Sequence, residues 1–246
     1  MNSFARVLAT VVLLMIVGDP RSVAAQAPVL VLDHVYIVVE PGAAAALQAL
    51  RQAGLVVDSS VHRHPGEGTA SVAAFFDNAY LELLWVDSSV AVDSLHGEDW
   101  AAFVRAQDWR RSGASPFGFG LHFLSGSVAD LRVPMRLDSA YALLRQPTES
   151  LAADLFVMPA RAAVPTWIDR FKGRRPDLFA HPLGVRRVTR VTVRGPAPQR
   201  PHAATLGPRL IGFEEAATPQ LALEFDEGRQ HRTIDLRPVL PLVLSY

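Results

Sequence analysis

The stretch Val61–Val86, VHRHPGEGTASVAAFFDNAYLELLWV, decides the fold. Two histidines, His62 and His64, stand just ahead of the turn Pro65-Gly66-Glu67-Gly68. Two apolar, β-rich runs follow, divided by the turn signal Asp77-Asn78. The second run carries a lone acid, Glu82, inside Tyr80-Leu81-Glu82-Leu83-Leu84-Trp85. Side chains on a strand alternate between faces, so Tyr80, Glu82 and Leu84 point one way and Leu81, Leu83 and Trp85 the other. Both faces are apolar, which puts Glu82 in a core or a pocket. A carboxylate there needs a cation or a hydrogen-bond donor to offset its desolvation.

Upstream, Val29 to Val39 (VLVLDHVYIVV) is a long β-branched strand with Asp33-His34 at its middle, ended by Pro41-Gly42. Apolar positions 43, 46, 47, 50 and 53 form a helical face that Gly54 stops, and Leu55 to Val61 is the next strand. The order over this region is β-α-β-β-β. Downstream, Asp93 to Arg111 has the pattern of a helix. From 113 to 180, strands are expected at Pro116–Phe123 and Asp154–Met158, and Pro134, Pro147, Pro159 and Pro165 interrupt any long element. That segment reads as a connection and cover. His181-Pro182-Leu183-Gly184 then opens a second set of strands: Val185–Val193, Leu210–Phe213, Leu221–Phe225 and Arg232–Leu236. The proline-rich Pro196–Pro208 leaves room for a short helix between the first two.

The fold class expected is therefore α+β: two paired β-α-β-β-β units forming cupped mixed sheets, with an irregular insert. The first unit covers about 28–112, the connecting segment 113–180 and the second unit about 181–246. At 246 residues and 50% apolar, the chain can bury a real core. Its 24 basic and 24 acidic side chains cancel, so no global field draws it to nucleic acid or an anionic surface. The basic cluster around Arg170, Lys172, Arg174 and Arg175 has no interleaved aromatics and reads as a solvated face. Cysteine is absent, which excludes disulfides, thiolate catalysis and cysteine-held metals. Arg6, the apolar run Val7–Val17 and the small-residue end Val23-Ala24-Ala25 form the pattern of a signal peptide over 1–25. The run is short for a bilayer span, so the expectation is an exported protein, periplasmic or secreted, with no stable membrane insertion after cleavage.

The units, the first beginning Leu32-Asp33-His34-Val35 and ending Tyr80-Leu81-Glu82-Leu83, resemble the vicinal oxygen chelate superfamily, and more closely its glyoxalase-like branch. Arg63-His64-Pro65-Gly66-Glu67-Gly68-Thr69-Ala70 is similar to that branch's R-H-P-G-x-G-T-A-N signature, with Ser71 in place of the asparagine. The resemblance implies a cupped sheet per unit and, in many members, a divalent metal held by His or Gln and Glu from the first and last strands. On this chain His34 and Glu82 fall on the first unit's two positions. Laying Val188-Thr189-Arg190-Val191 over Leu32-Asp33-His34-Val35 puts Arg190 at the second histidine's place. Laying Thr233-Ile234-Asp235-Leu236 over Tyr80-Leu81-Glu82-Leu83 puts Asp235 at the second acid's place.

Two functional readings follow. In one, His34 and Glu82 are the acid–base pair for proton transfer beside a carbonyl, or a metal set with Asp235. Arg190, Tyr80 and His64 would then contact a small-molecule substrate, with Arg190 holding an anionic group. Lyase, isomerase and dioxygenase outcomes all belong to this reading, with or without a divalent metal. In the other, the protein is a metal-free small-molecule binder, because arginine cannot ligate a metal and the second unit's ligands are incomplete. Both readings involve a small-molecule ligand and no nucleic acid, and the chain is a monomer or homodimer.

Overall fold

The first strand, β1 (Val29–Val38), runs through the middle of the molecule and breaks its own alternation. Opposite it, β5 (Phe117–Ser125) pairs Leu32 with Leu121 and His34 with Gly120, so Asp33 is the extra residue of a bulge. Leu32 and Val35 consequently both stay in the hydrophobic core, while Asp33 and His34 are buried together and hydrogen-bonded to each other.

The computed structural model describes residues 29–64, 67–89, 109, 111, 115–130, 136–138, 143–145, 153–195 and 211–246. The expected signal peptide, most of the helix over 93–111 and the proline-rich 196–208 lie outside them. After β1 come α1 (Ala44–Gln52), β2 (Asp58–His64), β3 (Thr69–Phe75) and β4 (Tyr80–Val86). β1 lies parallel to β4, with β3 antiparallel to β4 and β2 antiparallel to β3. This is the β-α-β-β-β order read from the sequence, with β2 at Asp58–His64 where Leu55–Val61 was expected.

The next unit is not where the sequence put it. β5, β6 (Arg136–Asp138), β7 (Leu143–Arg145) and β8 (Asp154–Val157) continue the same sheet, giving the order β2-β3-β4-β1-β5-β8-β7-β6. β5 is parallel to β8, β7 antiparallel to β8 and β6 antiparallel to β7. Residues 117–157 thus repeat the strand pairing of 29–86, and β1 and β5 join the halves edge to edge. The expected connecting segment 113–180 therefore contains the strands that pair with the first unit.

The expected second unit at 181–246 instead forms a separate five-stranded sheet. Its strands are β9 (Val188–Gly195), β10 (Ile211–Glu215), β11 (Gln220–Phe225), β12 (Thr233–Asp235) and β13 (Leu242–Ser245), in the order β10-β9-β11-β13-β12. β9 pairs in parallel with β10, the next strand in the chain, whereas β1 pairs in parallel with β4, the last strand of its set. Strand count and turn spacing are similar in the two regions. Neighbour choice differs, because it is set by which edges meet across the core.

One core joins both sheets. Leu81, Leu83 and Trp85 of β4, Val35 and Ile37 of β1 and Ala46 and Leu50 of α1 pack in one cluster with Val191, Leu221, Leu223 and Leu244 of the second sheet. Each fully buried side chain of the size of Ile37 or Leu83 contributes about 1.5–3 kcal/mol. The opposite face of the large sheet carries Asp33, His34 and Glu82, all under 9% exposed. The larger hydrophobic cluster lies on one face, and smaller clusters flank the desolvated polar groups on the other. A covering segment crosses that polar face: a turn at Val164–Thr166, the short helix α2 (Ile168–Arg174) and a turn at Pro176–Phe179. Its Val164, Ile168, Leu178 and Phe179 pack on Ala73 and Phe75 of β3.

Candidate active site

The polar face collects four of the residues singled out in the sequence. Register places His34 beside Tyr80 and Tyr36 beside Glu82 across β1 and β4. The His34 Nε2 lies 3.9 Å from one Glu82 carboxylate oxygen, and His64 Nε2 lies 3.6 Å from the other. His64 enters from the end of β2 and is the more exposed of the two imidazoles. Its Nδ1 is 3.1 Å from the Thr69 hydroxyl, the residue opposite it on β3. Tyr80 stacks on the His34 ring, centroids 4.4 Å apart and 13° from parallel. Burial first, and then the charges of Glu82, Asp33 and Glu67, push the Tyr80 phenol well above its ordinary 10.0, so it stays protonated.

Behind the His34 ring stands Asp33. His34 Nδ1 donates to its Oδ1 at 3.0 Å, and His122 Nδ1 donates to its Oδ2 at 3.1 Å. The backbone N–H of Val164, in the covering segment, donates to Oδ2 at 2.6 Å. Burial acts to raise the Asp33 carboxyl, but the donors His122, His34 and Val164 outweigh it and hold the group at about 2. Ionised Asp33 accepts the His34 Nδ1 proton, so in the neutral imidazole Nε2 is the bare nitrogen, and it faces Glu82.

The second half of the sheet makes room for these rings and does not mirror them. A methyl at Gly120 would sit 2.4 Å from His34 Cε1, and one at Gly118 would sit 2.1 Å from the Tyr36 ring. Phe156 of β8 closes on His34 with centroids 5.2 Å apart, and the Tyr36 hydroxyl donates to Asp154 at 3.0 Å.

Arg190 and Asp235 are not part of this site. Both lie on the second sheet, beyond the shared core. Arg190 is solvent-exposed on β9 opposite Glu224, and Asp235 is bound to Arg237 at the surface. The overlay that placed them in a cup assumed a second unit at 181–246, and with that assumption gone neither an anion clamp at Arg190 nor a metal ligand at Asp235 remains. Sequence reasoning missed Asp33, His122, Gly118 and Gly120. The available signal was Asp33-His34 interrupting an apolar strand, since two consecutive polar residues buried on one side require a bulge.

The fold is mostly β, two mixed sheets with a β-α-β-β-β order at 29–86, and the site sets an imidazole beside a carboxylate on the larger sheet. Residues 32–121 match the family model described as a glyoxalase-like domain, a family of the vicinal oxygen chelate superfamily, so over that stretch the chain is similar to glyoxalase-like domains. Among solved structures, the crystal structure of a hypothetical protein from Staphylococcus aureus is similar at 9% identity and a TM-score of 0.50, covering 88% of this chain and 99% of that one, a likeness of fold. No curated protein matches.

Many members of the superfamily hold a divalent metal in the cup, and the donor set here can be compared with that need. His34 and Glu82 supply two donors, while β5 offers Gly118 and Gly120 on the site-facing side where a further ligand would have to stand. Among the described residues no three histidine, aspartate or glutamate groups gather as a metal site. His64 Nε2, 3.6 Å from Glu82, is a third nitrogen nearby that does not complete such a set, and no step below is routed through a metal.

Proposed function

We propose that this small-molecule-acting protein of the vicinal oxygen chelate type transfers a proton at a carbon next to a carbonyl, with His34 as the base. The observation that carries this reading is the hydrogen bond from His34 Nδ1 to Asp33, which turns a bare Nε2 toward the site. Nε2 takes the proton from the substrate carbon, so the C–H bond breaks, an N–H bond forms and the electron pair moves onto the carbonyl oxygen as an enolate. Ionised Asp33 stabilises the imidazolium that results. The imidazolium then returns its proton to the same carbon, which exchanges its hydrogen or inverts the configuration there. Glu82, 3.9 Å from Nε2, is beyond hydrogen-bond distance and stabilises the imidazolium by its charge. A positioned base of this kind supplies a factor of roughly 10²–10⁴. The tyrosine and phenylalanine rings around His34 favour an apolar or aromatic substituent on the substrate.

Phenylacetone in D₂O is a direct probe, with α-hydrogen exchange followed by proton NMR. Exchange faster than in buffer, reduced about a hundredfold in His34→Gln and also reduced in Glu82→Gln, supports the proposal. Saturable binding without exchange would point to a sequestering protein, and exchange untouched in His34→Gln would remove His34 as the base. We further propose export, on the signal-peptide pattern at 1–25. Expression of the full chain and N-terminal sequencing of the mature product tests this, with a start at Gln26 expected and a retained Met1 opposing it.

A further inference from the structure

His181 ties three parts of the molecule together through one imidazole. Its Nδ1 accepts the Val56 N–H at 3.0 Å, and its Nε2 donates to the Phe75 carbonyl at 2.9 Å. A backbone N–H can only donate and a carbonyl can only accept, so both partners require the neutral ring with its proton on Nε2. A second proton has one place to go, Nδ1, where it meets the Val56 N–H and removes that bond. The ring is 7% exposed and packs on Phe76 with centroids 4.9 Å apart. It stands two residues past the last turn of the covering segment, Pro176–Phe179. Leu178 and Phe179 of that turn pack on Ala73 and Phe75 of β3, and Phe75 is the cross-strand neighbour of Tyr80, which stacks on His34.

A cleft of about 340 Å³ lined by His181, Asp77, Lys172 and Arg186 opens beside the ring and gives it contact with water. The charged groups that face it are Asp77 from the turn between β3 and β4, Lys172 from α2 and Arg186 ahead of β9. The connection from Gly54 to Val57 adds none. Lys172 and Arg186 are both bound to Asp77, so these groups together do not favour an imidazolium. Burial lowers the His181 pKa from 6.5, and the Phe75 bond and the Asp77 charge act against that shift.

We infer that His181 is an acid-sensitive latch: protonation at Nδ1 releases the Leu178–His181 end of the covering segment from β3 and uncovers Phe75 and Tyr80 at the edge of the site. The inference rests on the segment lying over that face and holds whatever reaction the site performs. Release is local, because the other polar ties persist in mild acid. Val164 stays on Asp33 and Lys172 stays on Asp77, since both carboxyls lie at or below their ordinary range and remain ionised at pH 5.5. In the released form the imidazole titrates near 6.5, as in an open chain. The released population therefore grows by up to about tenfold per pH unit below 6.5, and stops growing once the latched form also takes the proton.

Amide hydrogen exchange on the full chain, corrected for intrinsic rates, reads this directly. The reporters are the Val56 N–H and the Leu178 N–H, which is bonded to the Arg175 carbonyl; the Leu221 N–H, bonded to the Pro241 carbonyl, stands for the core. Val56 and Leu178 are expected to be less protected than Leu221, and to lose protection roughly fivefold to tenfold between pH 7 and pH 5.5. In His181→Gln, which keeps one acceptor and one donor but does not titrate, that loss disappears. Hydroxyl-radical labelling of Tyr80 and Trp167 rises over the same range in the wild type and stays level in His181→Gln. Val56 and Leu178 protected as strongly as Leu221 at both pH values would mean release only by global unfolding, and would overturn the latch. So would the same pH dependence in His181→Gln, or unchanged labelling of Tyr80 in the wild type. Side-chain ¹⁵N NMR of the wild type needs no variant: a His181 ring protonated on Nδ1 at pH 7 overturns the inference as well.

Discussion

The Asp33 carboxylate accepts the Nδ1 proton of His34 at 3.0 Å, and a bulge in β1 is what allows two consecutive residues to meet in this way. In a regular strand their side chains would point to opposite faces. The same carboxylate bonds His122 and the Val164 amide, so the state of the candidate base is tied to the neighbouring half of the sheet and to the covering segment.

Asp33→Asn changes which nitrogen of His34 is protonated. A carboxamide offers one acceptor oxygen to three donors and turns its NH₂ toward at least one of them. Histidine side-chain ¹⁵N NMR is expected to find Nδ1 protonated in the wild type and Nε2 protonated in Asp33→Asn. A wild-type protein with a protonated Nε2 and a bare Nδ1 contradicts the geometry.

Acid unfolding carries the signature of the same group. The Asp33 carboxyl sits at about 2 in the fold and near 3.9 in the unfolded chain, so the folded state holds fewer protons between those values. Its contribution, roughly 2–3 kcal/mol, is fully present above about pH 4 and is lost as pH falls toward 2. Urea unfolding at pH 5 and pH 2.5 is expected to show a smaller pH-dependent loss in Asp33→Asn than in the wild type.

Gly120→Ala crowds the His34 ring. The new methyl meets Cε1 at 2.4 Å and Nδ1 at 2.6 Å, so the ring must shift from its bond to Asp33. The expected cost is about 1–3 kcal/mol in urea unfolding, with loss of the Nδ1 proton signal of His34. An unchanged signal with unchanged stability would show that the site has slack the packing does not suggest.

His181 is a neutral staple outside the site. Its Nδ1 accepts the Val56 N–H and its Nε2 donates to the Phe75 carbonyl, and burial lowers its pKa from 6.5. Because the unfolded chain binds the proton more readily, this contribution is present above about pH 6.5 and declines as pH drops below it. His181→Gln, which preserves one acceptor and one donor, is expected to flatten the fall in melting temperature between pH 7 and pH 5.5.

Much of the site was legible in the chain. The lone acid Glu82 and the histidine His34 stood out in apolar strands, because burying such groups is costly enough to be conspicuous, and the structure brings the two to one face. Periodicity and turn residues also determined the first β-α-β-β-β unit, since alternation and turn chemistry are local properties of the backbone. Local signals could not say which strands are neighbours. Short β6 and β7, set among prolines, gave weak patterns, while 181–246 offered clear strands with a different pairing. Only the tertiary structure decided that the sheet continues into 117–157, which moved Arg190 and Asp235 out of the site and brought in Asp33, Gly118, Gly120 and His122. The physical reason is that strand order depends on contacts between edges distant in sequence, and a bulge is visible only against the partner strand that lacks it.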